Sequence, residues 1–173
     1  MEHFIRKHAN AKNIILLLIL LLLFQQVLFK HLLPQGEHAL MLDTQFFYSA
    51  EDAYDIIGNY SEAMRHAFMI GELTLDLVFP WIYTLLFAFL FAVLFKGAKI
   101  VLFPFLMLIF DYLENAAILF LLIRYPQKYS GMAAMAAVFS AIKWILLPMI
   151  LLLLLAGIIR KILRYSLQRR SKH

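Results

Sequence analysis

Apolar residues gather into four long runs along this chain, at about residues 13–33, 73–95, 100–123 and 132–159, with polar residues confined mainly to the gaps between them. As an α-helix rising ~1.5 Å per residue, each run is long enough to cross a hydrocarbon layer ~30 Å thick. The pattern predicts an all-α protein, a four-helix transmembrane bundle. The gap at 34–72 reads as an outer cap with structure of its own. Ser49 followed by Glu51 and Asp52 is a helix start, and Gly58 fits its stop. Ser61 with Glu62 starts a second short amphipathic helix reaching Ile70, and Tyr54, Ile57, Met64 and Phe68 supply an apolar side. No internal repeat, linker or second domain interrupts 1–173.

Two prolines change the picture inside the runs. Pro80 has no amide hydrogen for the carbonyl of Asp76, so that turn of the second run is expected to bend and leave an acceptor free. Pro148 does the same for Trp144 in the fourth run, whereas Pro104 falls in a first turn, where proline is tolerated. Small residues at four-residue spacing in the fourth run, Ala133, Ala137 and Ala141 among them, allow close approach to Ala116 and Ala117 of the third.

Charge orients the bundle. Arg6, Lys7 and Lys12 precede the first run, Lys96 and Lys99 join the second to the third, and the tail 160–173 is basic with no acid. The segment 34–72 is acidic, with Arg65 the only Lys or Arg among its seven Asp and Glu. The positive-inside rule therefore predicts both termini in the cytoplasm of a cell, or bacterial inner, membrane, with Arg124 and Lys128 in an outer turn as the one conflict. A hydrophobic content of 64% and a mean hydropathy of +0.80 exceed what a soluble core of 173 residues needs. The net charge of +5 therefore marks topology and not nucleic-acid binding. With no cysteine, disulfides and thiolate chemistry are excluded. The six histidines show no i, i+4 pair, and no phosphate loop or nucleophile elbow is present, so neither a metal nor a cofactor is expected.

The candidate chemistry lies where polar groups interrupt apolar runs. Asp111, Glu114 and Asn115 stand at i, i+3 and i+4 of the third run and share one helical face. An ionisable side chain at that depth costs about 2.5–3.5 kcal/mol on insertion scales and calls for a partner. Lys143 is the only basic residue inside the fourth run. Counted from the outer ends at ~1.5 Å per residue, Asp111, Glu114, Lys143 and Tyr83 fall ~14–18 Å deep, and Asp76 only ~5 Å. The expected site is Asp76, Tyr83, Asp111, Glu114, Asn115 and Lys143, with Asp76 at an outward mouth. A purely structural ion-pair knot that fixes helix register competes with this reading, and Asn115 alone reads best as a helix-to-helix hydrogen bond.

The stretches Leu75-Asp76-Leu77-Val78-Phe79-Pro80-Trp81-Ile82-Tyr83, Asp111-Tyr112-Leu113-Glu114-Asn115 and Lys143-Trp144, with Tyr48-Ser49-Ala50-Glu51 before them, resemble a group of uncharacterised bacterial four-span membrane proteins. The resemblance implies that architecture and no activity. From the residues themselves, the expected function is binding of a lipidic or amphiphilic small molecule in an intramembrane pocket, Lys143 attracting an anionic head or neutralising Asp111. Two alternatives stand beside it. One is a membrane enzyme using Glu114 and Asp111 as acid and base. The other is a proton-coupled carrier or an accessory subunit, with a protein partner or a second copy of the chain.

Overall fold

The structure, a computed structural model, describes residues 1–28, 41–97 and 99–170, so the end of the first predicted run and the start of the cap lie outside the described residues. Helix α1 spans Glu2–His8 and α2 Ala11–Leu23, continued by a wide π turn at Phe24–Leu28. A single 3-10 turn, Leu42–Thr44, precedes α3, Ala50–Gly58. Then come α4, Glu62–Leu94, a 3-10 turn at Lys99–Leu102, α5, Pro104–Arg124, and α6, Ser130–Arg170. The bundle is all-helical, with no strand among the described residues. Its helices α4, the stretch Lys99–Arg124 and α6 are each long and apolar enough to cross a membrane. Glu2–His8 with Ala11–Gln26 gives a fourth candidate, bent by 95°.

Three boundaries differ from those the sequence predicts. The second cap helix does not end at Ile70. It runs unbroken into the following apolar run as one 33-residue helix, because Gly71 keeps ordinary helical backbone; among the described residues only Gly97 takes a positive φ. A glycine stops a helix by entering the left-handed region, and Gly71 does not. The basic tail likewise continues α6 to Arg170, since no proline or helix-capping glycine intervenes after Gly157. The basic head is more than a topology signal. It forms α1, which buries Ile5 to 1% exposure beneath the bundle and sends Arg6 Nη1 to the Phe95 carbonyl at 3.2 Å. Asn10 then caps α2 by accepting the Asn13 amide at 2.9 Å.

The start read for α3 is where the sequence puts it, and the helix ends at Gly58 with Asn59 following in right-handed backbone rather than the left-handed turn of a capping glycine. Ser49 Oγ accepts the Asp52 amide at 3.1 Å and Asp52 Oδ2 accepts the Ser49 amide at 2.8 Å, a reciprocal capping box. Helices α5 and α6 share the most extensive interface, lined by Ala117, Ala133, Ala136 and Ala137, while Ala116 and Ala134 point outward. In the turn between them, Lys128 lies 5.6 Å from the Tyr54 ring centroid and Arg124 5.7 Å from that of Phe120. Cation–π contacts thus hold the two charges that run against the orientation rule.

Two apolar cores result. One, at the α3 end, joins Leu42, Tyr48, Ile57, Ile118 and Leu121 to the alanines of α6. The other, at the α1 end, joins Ile5, Phe91, Val101, Met107 and Ile150. Asp111, Glu114, Asn115, Ser140 and Lys143 occupy the layer between them. Helix α2 buries none of its residues and packs chiefly along α4.

Candidate intramembrane site

Lys143 is the centre of the polar layer. Its ammonium stands 2.5 Å from Glu114 Oε2, 3.5 Å from Asp111 Oδ1, and 3.3 Å from the backbone carbonyl of Asp43. Three acceptors thus surround the three hydrogens the group can donate. The second Asp111 oxygen accepts the hydroxyl of Tyr83 from α4. Glu114 is 0% exposed, and Asp111 and Asn115 are buried beside it, as a shared helical face requires. The depth count therefore brought Tyr83, Asp111, Glu114 and Lys143 to one place.

Asn115 and Asp76 meet differently. Asn115 Nδ2 donates to the backbone carbonyl of Asp76 at 3.4 Å, the oxygen that Pro80 deprives of its helical donor. One residue along, Tyr112 donates its hydroxyl to the Leu77 carbonyl at 2.6 Å. The side chain of Asp76 takes no part in these bonds and lines a different space.

Two cavities account for that separation. A small one, about 20 Å³, is lined by Asp43, Tyr60, Glu72 and Asp76 with apolar neighbours such as Leu42 and Ile118. It is about the size of one water. A larger one, about 340 Å³, runs between α2 and the three long helices. Leu21, Phe79, Phe87, Met107 and Leu147 form its apolar walls, and Asp43, Asp111, Lys143 and Tyr83 its polar end. Asp43 borders both spaces.

Sequence reasoning placed the segment around Asp43 in an outer cap but did not foresee that its backbone packs against α6. Ser140 Oγ donates to the Gln45 carbonyl at 2.8 Å, and Lys143, three residues on, donates to that of Asp43. Adjacent turns of α6 hold the incoming backbone, and Leu42 packs at 2% exposure in the α3-end core. Burial pushes the Asp43 carboxyl above its ordinary range; Lys143 opposes the shift and Asp111 adds to it. Burial, with Glu114, Asp43 and Glu72 nearby, keeps the Tyr48 phenol protonated far above its usual range.

Asp43, Glu72, Gln25 and Trp144 complete the walls and were not expected there. Glu72 carried one signal: it precedes Asp76 by four residues and so shares its helical face. The π turn of α2 was a second missed feature; Gln25 reaches the larger cavity from it, and such widened turns recur at functional sites. Among the described residues no three His, Asp or Glu side chains are grouped to hold a metal ion.

Fold and site together define an all-helical bundle with three to four candidate membrane-spanning helices around a buried ion-paired centre. Comparison with protein-family models, curated proteins and solved structures finds no match to this chain.

Proposed function

We propose that this chain is a multi-pass protein of the cell membrane, both ends cytoplasmic, that binds an amphiphilic molecule inside the bilayer. The observation that carries the reading is the composition of the 340 Å³ cavity, an apolar and aromatic slot that ends on an ordered polar cluster. A hydrocarbon chain fits against Leu21, Phe87, Met107 and Leu147, and a polar head reaches Asp111 and Asp43. The volume matches that of known small-molecule pockets, ~300–1,000 Å³. Helix α2, with Ile15, Leu18 and Leu22 exposed, forms only one edge of the slot, so an amphiphile dissolved in the membrane enters sideways past it.

Trp144 lies on the cavity wall and reports occupancy. In a Trp81→Phe background reconstituted in zwitterionic vesicles, amphiphiles with brominated twelve-carbon chains quench Trp144 fluorescence saturably, and unbrominated ones relieve the quenching. Leu147→Trp, which fills the slot, abolishes saturable binding of a spin-labelled chain. Quenching that rises linearly with membrane content for every head group, with no saturation, removes the proposal.

A further inference from the structure

Resting on that amphiphile-binding reading, we infer that the slot selects a head carrying positive charge, a long-chain amine or quaternary ammonium, because among the described residues its polar end has two carboxyls, Asp111 and Asp43, and one cation, Lys143, already ion-paired. The Lys143 ammonium is already ion-paired with Glu114 and Asp111 and donates to the Asp43 carbonyl. An anionic head must take Lys143 from Glu114 and leave that carboxyl, 0% exposed, as an uncompensated buried charge. A cationic head demands no such exchange. It meets the carboxyls of Asp111 and Asp43 directly, and Glu114 remains paired.

The walls agree with the charge balance. Phe79, Tyr83 and Phe87 follow one another along α4, with ring centroids 5.6 Å apart for the first pair and 6.3 Å for the second. Phe24, in the π turn that follows α2, stacks 6.1 Å from Phe79 behind this row. Ring faces attract an ammonium or quaternary nitrogen, more strongly when both are shielded from water. The same rings accept the chain that follows the head. A polar head that is neutral gains the hydrogen bonds but neither attraction. Burial raises the Asp43 carboxyl, and a cation beside it opposes that shift as Lys143 does, so the two favour one another.

Three unbrominated competitors with the same twelve-carbon chain test this in the Trp144 reporter: a trimethylammonium, a maltoside and a sulfate, each expressed per mole of lipid to remove partitioning. The trimethylammonium displaces the brominated chain at about tenfold lower mole fraction than the sulfate, equivalent to about 1.4 kcal/mol. Asp43→Asn, in a 3-10 turn outside the long helices, weakens the ammonium more than the maltoside. Displacement by sulfate equal to or better than by ammonium overturns the inference, as does an ammonium no better than the maltoside, and in both cases amphiphile binding itself stands. If none of the three competes, the amphiphile reading falls with it.

Discussion

Asn115 on α5 donates its side-chain amide to the backbone carbonyl of Asp76 on α4, supplying from a neighbouring helix the bond that Pro80 takes away. An interior proline usually weakens its helix; here it also creates the acceptor that fastens two helices together. Replacing Asn115 by leucine leaves that carbonyl buried without a donor, at a cost of about 1–3 kcal/mol. Pro80→Ala restores an amide four residues from Asp76, so the same Asn115→Leu change costs less in that background. Thermal unfolding of the four proteins in a mild detergent measures the coupling, and strictly additive effects would disprove the linkage.

Among the described residues Lys143 is the single ammonium beside the carboxyls of the buried layer, and removing it takes away the counter-ion it supplies to Asp111 and Glu114. Breaking one side of a buried ion pair costs about 3–5 kcal/mol, largely the penalty for the charge left behind. Lys143→Met is expected to destabilise the fold by that amount, and adding Glu114→Gln to recover part of it, since the second change removes the stranded charge. An isolated Lys143→Met that unfolds at the wild-type temperature would show the pair to be energetically idle.

What the sequence discloses and what it hides follow from how each residue is placed. The shared face of Asp111, Glu114 and Asn115 depends only on helical periodicity, and the match to Lys143 only on rise per residue, so both were legible. Ser49 and Asp52 cap α3 through bonds three residues apart and were legible for the same reason. Asn115 was expected to bond another helix and does. Asp43 was hidden because its position depends on its backbone carbonyl, and on that of Gln45, being held by Lys143 and Ser140. Every residue carries such a carbonyl, so the chain gives no sign of which ones α6 will hold. Glu72 was hidden because the sequence ends the cap helix at Ile70 and starts the next run at Leu73, which leaves Glu72 off the helix it shares with Asp76.

Burial raises the Asp43 carboxyl above the 3.8 of an ordinary aspartate. Below 3.8 the group is protonated in both folded and unfolded chains. As pH climbs from there, the unfolded chain gives up its proton first, so stability declines until the folded group also ionises, and the loss then levels off. Glu72 and Asp76 of α4 and Asp111 of α5 face the same region as Lys143 of α6. The slope assigned to Asp43 is therefore the difference between wild type and Asp43→Asn, measured by denaturant unfolding from pH 3.5 upward. A variant with an unchanged slope would place the proton elsewhere in the cluster.

Gly157 governs how closely α6 approaches the end of α4. A Cβ there would meet the Phe95 ring at 2.8 Å and the Leu94 Cβ at 3.1 Å, both closer than unstrained contact. The ring can swing away, but Leu94 Cβ is fixed to its helix, so a branched side chain must push the two helices apart. Phe95 also holds α1 in place by giving its carbonyl to Arg6, which means that separation here reaches the first helix as well. Gly157→Val is expected to cost about 1–3 kcal/mol, the usual range for overpacking, despite valine's better helix propensity than glycine's. Phe95→Ala in the same chain should return part of that loss by relieving the ring contact. Proteolysis after His8 distinguishes the mechanisms: faster cleavage in Gly157→Val follows from release of α1, whereas unchanged cleavage would confine the strain to the α4–α6 contact.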